Sequence, residues 1–171
     1  MAPLTLIQLF PLYYFDSDNE VQELKRLGLN EPWSTGSFSL QTGSDYTAAP
    51  SSQLAAYWND CPTCSHSSNL RNELLVLWTN PSGTLQLART LATNFTVWKS
   101  SAYTTLVPVT GSGLALAGVV SNDSYSMRAY YSDATQVKEL WGGSDTNDYS
   151  TIQGPDSKGE FLLLYQFLQI R

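Results

Sequence analysis

The stretch MRAYYSDATQVKEL, residues 127–140, sets Arg128 and Glu139 in two short strands around a polar turn. A guanidinium and a carboxylate held at fixed separation give planar donors and acceptors for the neighbouring hydroxyls of a small polar ligand. An aromatic face beside them would cover the apolar side of such a ligand. Tyr149 and Trp141 are placed to supply that face, and Glu23 with Trp33 make a second, partial set. A two-residue turn at Asp133 and Ala134 predicts Arg128 directly opposite Glu139 in an antiparallel pair. By the same rule a turn at Ser17 and Asp18 predicts Leu12 opposite Glu23. The plainer reading of Arg128 and Glu139 is a cross-strand salt bridge, worth roughly 0–1 kcal/mol if exposed. The plainer reading of each aromatic is core packing.

Other chemistries find less support. Cys61, Cys64 and His66 lie together in CPTCSH, but a structural zinc site needs four ligands and no second cysteine pair exists. A redox reading needs a helix start after the first cysteine, where CPTCSHSSN reads as a loop, with or without a local disulfide. No metal site and no cofactor is expected. His66 is the only histidine. A glycosidase needs two carboxylates facing one cleft, whereas Asp16, Asp18 and Asp133 fall in or beside predicted turns. No catalytic residue is assigned, and no enzyme is expected.

The elements that must hold these residues are short strands. The 171-residue chain carries a formal net charge of −6, 14% charged residues, 10 Tyr and 5 Trp. Such usage favours strands and polar turns. An acidic chain without a basic stripe is a poor nucleic-acid binder, and no apolar run approaches the ~20 residues of a membrane span. The start, MAPLTLIQLF, lacks a basic n-region and a clear cleavage site and is not read as a signal peptide. Secreted and cytoplasmic locations both stay open, and the sequons at Asn94 and Asn122 matter only in the first case.

One pattern recurs three times: LYYFDSDNEVQEL (12–24), LLVLWTNPSGTLQL (74–87) and RAYYSDATQVKEL (128–140). Val21, Leu85 and Val137 align, and a later aromatic recurs at Trp33, Trp98 and Tyr149. A small-residue strand leads two of the units, SSQLAAYW and GSGLALAG. Four short strands repeated every ~50 residues predict an all-β, propeller-like chain of about three four-stranded blades. A β-sandwich is the alternative. The blades divide the single unit at about 11–50, 51–110 and 111–171, and the C-terminal FLLLYQF could complete the first blade of this chain or of a second copy. Because propellers typically close with ~4–8 blades, the chain is expected either to be a fragment or to pair with another copy as a homodimer or larger homo-oligomer.

MRAYYSD followed by VKELW, together with GSGLALAG, resembles the fungal fucose-specific lectins of the Aleuria aurantia lectin type. Blade three carries the resemblance best, blade one in part and blade two poorly. The resemblance implies a six-bladed propeller, of which this chain is about half, with fucose between adjacent blades held by Arg, Glu and Trp. It implies Arg128 and Glu139 as ligand contacts, with Tyr149 where tryptophan is usual. In blade one Glu23 and Trp33 match, but Leu12 replaces the arginine; in blade two only Trp98 matches, and Leu87 replaces the glutamate. The implied function is a non-enzymatic lectin for fucosylated glycans or a free monosaccharide. A propeller-like protein-interaction scaffold that has lost sugar binding is the alternative.

Overall fold

The computed structural model describes residues 9–59, 73–90, 97–121, 124–143 and 149–153. CPTCSH, both sequons and the C-terminal FLLLYQF lie outside them. Three antiparallel sheets are formed. Sheet one contains β1 (Leu9–Phe15), β2 (Val21–Leu27) and β3 (Ser34–Thr35). Sheet two contains β4 (Leu54–Asn59), β5 (Glu73–Thr79), β6 (Leu85–Thr90) and β7 (Trp98–Tyr103). Sheet three contains β8 (Ala115–Ser121), β9 (Ser124–Ser132), β10 (Val137–Gly143) and β11 (Tyr149–Gln153). Each sheet is a meander in chain order. The only described helical structure is a pair of 3₁₀ turns, Phe38–Leu40 and Ser44–Tyr46. Among the described residues no helix is long and apolar enough to cross a membrane.

One turn chemistry closes all three central hairpins. Asp16 Oδ1 accepts from the backbone N–H of Asp18 (3.0 Å) and Glu20 (2.9 Å). Asn80 Oδ1 accepts from Ser82 and Thr84 N–H, both at 3.1 Å. Asp133 Oδ1 accepts from Thr135 and Gln136 N–H, both at 2.8 Å. A short side-chain acceptor thus takes the place of a backbone carbonyl in the turn. The Thr135 N–H and hydroxyl hold the Asp133 carboxyl well below the usual carboxylate range.

These wrapped turns need more chain than two residues, and that corrects the register. The closing pairs are Phe15↔Val21, Thr79↔Leu85 and Ser132↔Val137, so Val21, Leu85 and Val137 are equivalent as expected. The residue opposite Arg128 is Trp141, not Glu139. The residue opposite Glu23 is Tyr13, not Leu12. Because side chains alternate across a strand, this one-residue change puts Leu12 on the other face of sheet one from Glu23.

The sheets stack face to face with sheet two in the middle. Leu74, Val76, Trp78, Ala88 and Trp98 of sheet two pack against Tyr13, Phe15 and Val21 of sheet one around Phe38. Phe38 is fully buried and meets Trp98 edge-on at 4.6 Å between ring centroids. On the other side, Leu75, Leu77, Leu85 and Leu87 pack against Met127, Ala129, Tyr131 and Leu140 of sheet three. Burial on both faces explains why LLVLW is a continuous apolar run instead of an alternating one. The leading strands β4 and β8 come close together: a Cβ added at Gly118 would lie 2.5 Å from the Tyr57 ring. The small residues of β8 are what permit that approach. Three sheets in series form a propeller-like array of blades, not the two layers of a sandwich.

Candidate ligand-binding site

Sheet three carries the one open polar constellation that the expected site residues build. Arg128 Nη1 donates to Glu139 Oε1, a charge-assisted bond running diagonally between β9 and β10. Arg128 stands at 37% and Glu139 at 17% side-chain exposure, so the pair is neither sealed nor freely solvated. Tyr130, directly opposite Glu139, completes the group. Its hydroxyl donates to Glu139 and accepts from Arg128, and burial followed by the Glu139 carboxylate pushes its pKa up. The register sets Trp141 directly opposite Arg128. On the other side, β8 offers only the exposed Ala115 and Ala117 opposite Tyr130 and Arg128, which leaves space beside the polar groups. The backbone partner of Tyr149 is Gly142, not Arg128 or Glu139.

Tyr130 is not among the expected site residues, because AYYS reads as strand and packing residues. Its signal was present. Arg128 and Tyr130 are two apart on one strand and therefore share a face.

The matching positions on the other sheets are closed. Sheet two places Leu75, Leu77 and Leu87 there, exposed by only 1%, 1% and 4%. Sheet one places Pro11, Tyr13 and Glu23 there. Glu23 is 2% exposed, accepts from Phe38 N–H at 2.8 Å, and lies 3.5 Å from the Tyr13 hydroxyl. Burial raises the Glu23 pKa, against the opposing pull of the Phe38 N–H. The chain segment around Phe38 caps this carboxylate from above, with Gly36 so close that an added Cβ would strike it. Trp33 does not sit beside Glu23. It is 44% exposed on the opposite face, with the Arg26 guanidinium 4.9 Å above its ring. Glu23 is therefore a buried structural carboxylate, and the expected pairing of Glu23 with Trp33 in one pocket is overturned.

Two four-stranded meanders and one of three described strands, stacked in series, form a propeller-like architecture. Three solved structures are similar to this chain. The fucose-specific lectin from Aleuria aurantia matches with a TM-score of 0.64 at 18% identity, over 85% of this chain and 44% of that one. AofleA from Arthrobotrys oligospora matches at 0.62 and 18% identity, over 85% of this chain and 39% of that one. The SapL1 lectin, solved in complex with α-methyl fucoside, matches at 0.61 and 21% identity, over 85% of this chain and 42% of that one. This chain thus spans about two fifths of those proteins' length. No protein-family model and no curated protein matches it.

Proposed function

We propose that this protein is a carbohydrate-binding lectin that takes fucose or a related monosaccharide at the Arg128, Tyr130 and Glu139 face and does not transform it. The observation that carries the reading is the Arg128–Glu139 ion pair, held half-open beside two exposed alanines. Fixed guanidinium donors and a carboxylate acceptor match vicinal sugar hydroxyls without reorganising. Glycoside hydrolysis calls for two carboxylates across a cleft. Here the Glu139 carboxylate is engaged by Arg128 and Tyr130, while Asp133 is consumed by its turn. The likeness to the fucose-specific lectin from Aleuria aurantia and to the SapL1 lectin bound to α-methyl fucoside supports the same reading.

A scaffold that has lost sugar binding is the second reading. The leucines at the equivalent positions of sheet two and the capped Glu23 of sheet one favour it. A glycan array separates the two. The lectin reading expects retention on fucosylated glycans, with no released product by chromatography. An array without a retained glycan would support the scaffold, and released product would contradict both.

A further inference from the structure

Sheets two and three follow one plan, so residues at matching positions can be compared. Aligned on the closing pairs Thr79↔Leu85 and Ser132↔Val137, Leu75 corresponds to Arg128 and Leu77 to Tyr130. On the leading strands, Tyr57 stands opposite Leu75, and Ala117 stands opposite Arg128. LAAYW of sheet two therefore becomes LALAG in sheet three. The two aromatic positions, Tyr57 and Trp58, are Ala117 and Gly118 there.

The two reductions have different causes. Gly118 is small because the packing demands it: the Tyr57 ring lies within 2.5 Å of where a Cβ would stand. Tyr57 itself is half-buried against the Leu75, Leu77 and Met127 core. No such demand falls on Ala117. It is exposed in the middle of β8, at a position where sheet two carries a tyrosine. Strands favour β-branched and aromatic residues and disfavour alanine. What the small side chain does leave is room beside the Arg128 guanidinium, the room that Tyr57 takes beside Leu75.

We infer that Ala117 sets the opening of the ligand site: its methyl group leaves free, beside Arg128, the volume that a tyrosine fills at the matching position of sheet two. Directly opposite residues of an antiparallel pair share a face, with Cβ atoms about 4.5–5.5 Å apart. A longer side chain at 117 therefore grows alongside Arg128 and competes with a ligand for the same space. Selection of this kind works by exclusion. A bulky residue would leave the bond between Arg128 and Glu139 intact and still shut the ligand out. Sheet two is closed on both counts, by leucines in place of the polar groups and by Tyr57 in place of the alanine.

The inference rests on the lectin reading for its ligand, and one arm of its test needs no sugar. Titration with α-methyl fucoside should give Ala117→Gly the affinity of the wild type. Ala117→Val should bind about three- to tenfold more weakly, and Ala117→Tyr at least about a hundredfold more weakly. Circular dichroism should be the same for all four proteins, since Ala117 lies in neither described core. The second arm is modification of Arg128 by phenylglyoxal, read by peptide mass spectrometry with Arg26 of sheet one as internal reference. Ala117→Tyr should slow it severalfold, and Ala117→Val less. The valine variant carries both arms with a residue that strands favour, so the test does not hang on the tyrosine variant folding. A wild-type chain that binds no sugar, with Arg128 still shielded by the larger residues, would reject the lectin and keep the opening. Equal sugar affinity in the wild type and the larger variants, or an equal rate of Arg128 modification, would overturn the inference.

Discussion

Glu23 and Glu139 are one residue type at equivalent positions with different fates. Glu139 faces a guanidinium and open space, whereas Glu23 is sealed under Phe38. Burying an ionised carboxylate without a cation is costly, so the raised pKa of Glu23 is a liability at neutral pH. The sign follows from linkage. A folded-state pKa above the usual 4.5 means that the folded chain holds a proton which the unfolded chain has lost. Stability from this group is complete below the unfolded pKa and declines as pH rises through the folded one. Urea denaturation from pH 4.5 upwards should show that decline in the wild type and a smaller one in Glu23→Gln. An identical pH profile for the two would contradict the assignment. Tyr130 makes a separate case. Tyr130→Phe removes a hydroxyl that braces both Arg128 and Glu139, so sugar affinity should fall by roughly five- to tenfold, about 1 kcal/mol, in a titration. Unchanged affinity would return Tyr130 to a packing role.

At the scale of elements, the turns decide where every side chain points. Asp16 and Asp133 were legible as turn residues, and the equivalence of Val21, Leu85 and Val137 followed from the repeat. The length of the turns was not legible, because a hairpin closed by a side-chain acceptor can wrap two residues or five with similar composition. That uncertainty put Leu12 opposite Glu23, where the structure has Tyr13. Arg128 and Glu139 survived a shifted register because diagonal neighbours on one face still reach each other. The cap over Glu23 was equally hidden, since it comes from SGSFSL, a loop without periodicity. Gly36 belongs to that cap. A methyl group there would meet the pinned Glu23 carboxylate, so Gly36→Ala should destabilise the chain by about 1–3 kcal/mol in urea unfolding. An equal midpoint would mean that the cap yields freely.

Among the described residues, sheet two is the keystone, packed on both sides, while each flanking sheet packs on sheet two by one face. The repeat made the number of blades readable, because four-strand units announce themselves by spacing. Which faces would be filled and which left open was not readable, since that depends on which residue of each alternating pair turns towards a neighbour. The account turns on one open face doing what its two closed counterparts no longer can. Calorimetric titration of α-methyl fucoside into the wild-type chain and into Arg128→Ala tests this most directly. The account predicts saturable binding by the wild type and a ten- to hundredfold loss in the variant, about 1.5–3 kcal/mol, with circular dichroism unchanged. Equal affinity of the two proteins would contradict it.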